Sequence, residues 1–308
     1  MNHSTKIFRT QKNTVFILLL LVPLLLLPLA CSSAPKKSEP ETPTASQAAK
    51  YAEFGNSFFN ESRFTQAADM YLLALDRYIR IDNQFGVVSS YNSLGKTYLA
   101  LGEIQKAETI LQSALKILES LDVADNKNDE LRSLASETYN NYGELIYAAG
   151  DYSGSQVWFE RGLAEVEDDV NRKAYAILLH NRGTVRFKLG EYEKAKEDIS
   201  KALKINKDLG YFYEIASNHY MLAVLSIKEQ MLDEAYRNAS IALDYDREME
   251  NSTGIAHDLF LLGRLEIMRG NREKGISYLE RSYRIFESLN LEAERQMVLE
   301  YRNNITAS

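Results

Sequence analysis

The chain has 308 residues, with 36 Lys+Arg against 43 Asp+Glu, a formal net charge of −7 and a single cysteine, Cys31. One cysteine closes no internal disulfide and cannot build a thiolate metal site. The acidic balance leaves no electrostatic footprint for nucleic acid.

The first element in chain order is a processing signal. Lys6, Arg9 and Lys12 make a basic start, and no acid precedes Glu39. The apolar stretch 15–30, "VFILLLLVPLLLLPLA", then ends in the small Ala30, the layout of a secretory signal peptide. It is shorter than the roughly 20 residues a membrane span needs, and Pro23 and Pro28 interrupt it. The stretch resembles a bacterial lipoprotein signal: Ala30 and Cys31 fit, while Pro28 stands where a leucine is usual. The resemblance implies removal of 1–30 and lipidation of Cys31, which becomes the anchor. Residues 31–46, with "SSAPKKSEPETPTAS", hold three prolines and little apolar content, and are expected to form a disordered tether. With 1–30 and its three basic residues gone, 33 Lys+Arg face 43 acids, a net −10. Such a body is repelled by anionic lipid, so anchor and tether would hold it at the membrane.

After Pro43 there is no proline, which permits long helices. Gly55, Gly95, Gly143, Gly183, Ala223 and Gly263 mark a repeat with steps of 40, 48, 40, 40 and 40 residues. Twelve places after each stands another small residue: Ala67, Ala107, Ser155, Ala195, Ala235 and Gly275. Nineteen places after stand Ala74, Ala114, Gly162, Ala202, Ala242 and Ser282. Sixteen places after come Tyr71, Leu111, Phe159, Ile199, Ala239 and Leu279. Gly102, Gly150, Gly190 and Gly270, with Ser62 and Gln230 in the same slot, fall where a turn between two helices is due. Small slots let two helices approach, and large ones fill the gap between them.

The pattern resembles the tetratricopeptide repeat, whose best copy here is "YNSLGKTYLALGEIQKAETILQSAL", 91–115. The resemblance implies an all-α, right-handed α-solenoid of about six helical hairpins over 47–290, starting near 48, 88, 136, 176, 216 and 256. Arg186, Ser226 and Glu266 depart from it, standing where a tyrosine belongs. The extra residues before the third repeat, 121–133, read as a longer polar loop. Residues 291–303 should form a capping helix, with Leu291, Met297, Val298 and Tyr301 toward the last hairpin.

No catalytic motif is present: there is no G-x-S-x-G, Walker A loop, H-E-x-x-H or dinucleotide fingerprint. "DNKNDE", 125–130, lacks the central glycine of a calcium loop. His180, His219 and His257 lie 39 and 38 residues apart and read as packing or surface residues rather than metal ligands. An enzyme, a cofactor and a metal are not expected. In the family resembled, the first helix of each pair lines a concave groove. The matching residues are Asn92 and Lys96; Asn140, Asn141 and Glu144; His180, Asn181 and Thr184; Tyr220 and Val224; Phe260 and Arg264. An asparagine there can both donate to and accept from a peptide bond, and equally can be a tolerated polar residue on a wet face. Ala52 and Glu137 stand where members that grip a C-terminal carboxylate need cations. The resemblance therefore implies a membrane-anchored adaptor in the bacterial cell envelope, on the extracytoplasmic side and at the outer membrane if the host is diderm. It would hold proteins or peptides in its groove and assist assembly of a secretion, pilus or cell-wall complex. The alternative is a ligand-binding partner of a solute transporter. An enclosed apolar cavity would favour that reading, and an open polar groove would favour the adaptor.

Overall fold

A computed structural model describes residues 43–121, 128–166 and 171–306. The signal, Cys31 and nearly all of the tether lie outside the described residues. Thirteen helices are described: α1 (Pro43–Asn60), α2 (Phe64–Arg80), α3 (Gln84–Ala100), α4 (Ile104–Ser120), α5 (Asp129–Ala148), α6 (Tyr152–Glu165), α7 (Arg172–Lys188), α8 (Tyr192–Leu209), α9 (Phe212–Lys228), α10 (Leu232–Glu248), α11 (Ser252–Met268), α12 (Arg272–Ser288) and α13 (Glu292–Thr306). Each packs on the next, and α3, α5, α7 and α9 also touch one another in order. The first helices thus form an inner layer and the second helices an outer one: an α-solenoid of six hairpins with a terminal helix.

The small and large slots are the contact surface within each hairpin. A Cβ on Gly95 would come within 2.5 Å of Leu111, and one on Gly143 within 2.6 Å of Phe159. The same relation links Gly55 to Tyr71, Gly183 to Ile199 and Gly263 to Leu279. In the fifth hairpin the first slot is Ala223, and its partner shrinks to Ala239; both are fully buried. The larger first residue is met by a smaller partner, so the two helices still approach without overlap. Where a slot holds serine, the hydroxyl donates to a backbone carbonyl: Ser155 to Gly143 at 2.8 Å and Ser282 to Ala256 at 2.7 Å.

The turn slots all take positive φ, from 59° at Ser62 and 61° at Gln230 to 87° at Gly270. That explains why four of the six are glycine. First helices are opened by asparagine caps: the side chains of Asn83, Asn128, Asn171 and Asn251 accept from backbone N–H groups of the first turn.

Four expectations change. Residues 43–46, expected as the end of the disordered tether, form the first turn of α1. The polar stretch 121–133 is not all loop, because Asn128 caps α5 and the acids Asp129 and Glu130 suit its N-terminal dipole, so 129–133 is helical. Residues 122–127 lie outside the described residues. On α13, Val298 is buried against Phe286 and Phe260, with Leu291, Tyr301 and Ile305 beside it, while Met297 is exposed. The residues in place of tyrosine are not loose. Arg186 Nη1 donates to buried Asp198 at 2.8 Å, the Ser226 hydroxyl donates to the Leu222 carbonyl, and buried Glu266 pairs with Lys274 at 2.6 Å.

Candidate partner-binding groove

The first helices carry a polar ladder with one set of rungs per junction. Between α3 and α5, the Asn92 amide donates to the Leu134 carbonyl at 3.4 Å, and the Asn141 amide to the Asn92 carbonyl at 3.2 Å. Between α5 and α7, the Asn181 amide donates to Asn140 Oδ1 at 2.8 Å and to Glu144 Oε1 at 3.0 Å. Asn140 donates to the same Glu144 oxygen at 2.9 Å. Between α7 and α9, His180 Nδ1 lies 2.9 Å from Asn218 Oδ1, and its Nε2 lies 3.3 Å from the Ser217 hydroxyl. Asn218 Oδ1 only accepts, so Nδ1 carries the proton and Nε2 accepts from Ser217. Burial holds the His180 pKa below its ordinary value, consistent with a neutral ring.

This geometry redistributes the predicted residues. Asn92 and Asn141 are buried between helices, and the Asn141 amide is committed to the backbone of the preceding repeat. Both donors of the Asn181 amide are also in use. These three asparagines join repeats, so they do not present free amides to a partner. Lys96, Asn140 and Glu144, with Asn141 beside them, line open space. With Glu137, Lys173 and Glu214 they wall a cleft of about 430 Å³. A second cleft of about 600 Å³ shares Ser133 and Glu137 with it and runs toward Tyr78. A third, of about 330 Å³, shares Glu144 and extends to Thr184. Through these shared walls the three clefts lie side by side over α3, α5 and α7.

Phe260 and Arg264 are not part of it. Phe260 is buried with its ring edge-to-face on Tyr301 of α13 at 5.7 Å. The Arg264 guanidinium lies over both rings, at 5.7 and 5.5 Å. The capping helix therefore closes this end of the first-helix layer. Tyr220 lines a separate cleft between α9 and α11, and Val224 packs into the core beside it.

Electrostatics set Glu137, which the sequence offered only as a negative, beside the predicted Glu144 and Lys96. Glu137, exposed at the groove surface, and half-buried Glu144 lie on the concave face, where crowding by protein strips hydration and pushes both carboxyls above the usual range, opposed in each case by the charge of Lys96. Lys96 lies over the Phe59 ring at 4.9 Å and Lys173 over Tyr211 at 5.0 Å, and the groove carries both signs of charge. Lys173 and Glu214 were visible only as charges on first helices; their convergence needs the superhelix. The three histidines do not converge: His219 binds Asn238 at 2.9 Å, and His257 packs edge-to-face on Phe286. Among the described residues, no three His, Cys, Asp or Glu side chains group as a metal site, and no helix is long and apolar enough to cross a membrane.

Residues 46–120 and 176–209 each match a family model described as Tetratricopeptide repeat. No curated protein matches the chain. Among solved structures, PilW, titled a widely conserved type IV pilus biogenesis factor, is similar with a TM-score of 0.55 at 19% identity, over 82% of this chain and 98% of its own. PilF of Pseudomonas aeruginosa is similar with a TM-score of 0.54 at 18% identity, over 84% and 100%. Aspartyl phosphate phosphatase F from Bacillus subtilis reaches 0.61 at 15% identity, over 80% of this chain and 61% of its own. At such identities the likeness is one of fold. The two matched segments carry tetratricopeptide repeats, and the hairpins between and beyond them continue the same packing.

Proposed function

We propose that the chain is a scaffold that holds an extended segment of a partner protein along the groove of α3, α5 and α7, and that Cys31 anchors it by lipid on the extracytoplasmic side of a bacterial membrane. The observation that carries the groove reading is the adjacency of three open clefts through shared Glu137 and Glu144. An open trough that sets charges of both signs beside apolar wall residues such as Ile177 and Leu178 suits a peptide, which alternates donors and acceptors along its backbone. The transporter-partner reading asks for an enclosed apolar cavity, and the groove is open and lined by lysine, glutamate and asparagine. A role in assembling an envelope complex, such as a pilus, draws support from the fold shared with PilW and PilF.

Two experiments test the two halves. Cys31→Ser should abolish labelling by a fatty-acid probe and release the protein from the membrane fraction; unchanged labelling would sink the anchor. Reversing charge in the trough, with Lys96→Glu and Lys173→Glu together, should weaken partner binding by at least about tenfold, or 1.4 kcal/mol, with folding intact. Unchanged affinity would remove the groove from the account.

A further inference from the structure

Four acids are buried in the array: Asp198, Asp246, Asp258 and Glu266. Two follow the usual rule that a buried charge is paired. Asp198 takes Arg182 and Arg186, and Glu266 takes Lys274. The other two lie side by side, Asp246 on α10 and Asp258 on α11, and no lysine or arginine among the described residues forms a salt bridge with either. Arg247 is engaged with Asp244 at 3.6 Å and reaches Asp258 only through its field. Asp246 Oδ1 accepts from the Asn251 amide at 2.9 Å. Asp258, only 1% exposed, shares a hydrogen bond with Asp246, while no other donor reaches its Oδ2.

The pair lies in the wall of the separate cleft between α9 and α11, about 420 Å³ and open to solvent. The facing residues on α9 are Tyr213, Ser217 and Tyr220, two rings and a hydroxyl. Gly254 lets the Asp246 carboxylate rest against the first turn of α11: a Cβ there would fall 2.0 Å from Asp246 Oδ2. Two carboxylates with two aromatic rings are the surroundings that recognise a cationic organic group, through charge-assisted hydrogen bonds and cation–π contact. Among the described residues, the His, Cys, Asp and Glu side chains here do not group as a metal site.

We infer that the Asp246–Asp258 cleft is a binding site for an organic cation, a guanidinium or primary amine, which supplies the positive charge that the fold gives its other buried acids. The group can come from an arginine or lysine of a bound protein or from a free amine. The inference does not rest on the adaptor reading, since the cleft is distinct from the groove over α3, α5 and α7.

The test is titration calorimetry on the full chain in detergent at pH 7.5. Its probes are agmatine, the peptide acetyl-Gly-Ser-Arg-Ser-Gly-amide, and the same peptide with citrulline in place of arginine. The groups facing Asp258 are Asp246 and Arg247 of α10, His257 of α11, and Tyr213 and Tyr220 of α9. Burial and the neighbouring Asp246 push Asp258 up to about 9, so a cation that pairs with it should release a proton to the buffer. That release is read as a buffer-dependent heat. Expected are binding of agmatine, of the arginine peptide, or of both, no binding of the citrulline peptide, and at least a tenfold loss in Asp258→Asn and in Asp246→Asn. The peptide alone binding identifies a partner side chain as the source, and agmatine binding as well identifies a free amine. No heat from either cation at millimolar concentration would overturn the inference. So would equal binding by the variants or by citrulline, and the carboxyls would then be a proton-sharing pair only.

Discussion

Removing the Asp198 carboxylate is the sharpest test of how the fourth repeat is held together. Asp198 accepts from Arg182 Nε at 2.8 Å and Nη2 at 2.7 Å, and from Arg186 Nη1 at 2.8 Å. Arg182 stands in the slot filled by Leu94 and Leu262 elsewhere, and Arg186 in the tyrosine slot, so both guanidiniums occupy core positions. Their side chains are 19% and 14% exposed, against 5% for Asp198. Asp198→Ala would leave two poorly hydrated cations with only Glu160, at 3.9 Å from Arg186, as a counterion. Breaking a buried pair costs about 3–5 kcal/mol, and the partial exposure of both arginines places this one near 3. For an array of this size that is about 6–12 °C in melting temperature, read by far-ultraviolet circular dichroism. Hydrogen exchange should loosen repeats three to five and spare repeats one and six, because each repeat contacts only its neighbours. The triple variant Asp198→Leu, Arg182→Leu, Arg186→Tyr should regain most of the loss, since apolar replacement of a whole buried ion network is often neutral or better. A loss under about 1 kcal/mol for Asp198→Ala, or equal loosening of all six repeats, would refute the reasoning.

Ala239→Leu should cost about 1–3 kcal/mol in a urea melt by overpacking against Ala223, and adding Ala223→Gly should recover most of it, restoring the glycine–leucine pair of the second hairpin. Asn141→Ala should cost roughly 1 kcal/mol in the same assay, because it removes a buried bond to the Asn92 carbonyl; an unchanged midpoint would return Asn141 to the solvated face. Asp258 is held protonated in the folded chain to about 9, against 3.8 when unperturbed. The unfolded chain therefore loses its proton first, and stability should fall as pH rises from about 4 toward 9. Asp258→Asn should flatten that slope in pH-dependent melts, and an unaltered slope would assign it to another group.

The hairpin register could be read in the sequence because helix packing repeats one steric problem six times. Gly95 facing Leu111 and Gly143 facing Phe159 use the same solution, so small and large residues recur at fixed spacing whatever else changes. The turn slot was legible for a similar reason, since a left-handed residue is needed there in every copy. Side-chain direction on the inner layer was not. Asn140 and Asn141 both line the cleft but lie about 100° apart on a helix, so Asn140 bonds to Glu144 and Asn181 while the Asn141 amide is spent on the Asn92 carbonyl of α3. Phe260 and Arg264 match groove positions by register, yet the position of α13 covers them, and no residue of the repeat itself encodes where that helix rests. Asp246 and Asp258 lie on different helices of adjacent hairpins, and only the packing of α10 on α11 makes them a pair. A signal for one of them did exist: Asp258 occupies the slot of Ser90, Thr138, Leu178 and Asn218, where a carboxylate is out of place.

The measurement that bears most directly on the groove is site-specific photo-crosslinking in intact cells. A benzophenone amino acid would replace Ser133 or Lys173 on the trough wall, or Glu108 or Lys116 on the exposed second-helix face. The account predicts one and the same adduct from both trough positions, lost with Lys96→Glu, and none from the outer face. An adduct from Glu108 or Lys116, with the trough positions silent, would contradict it.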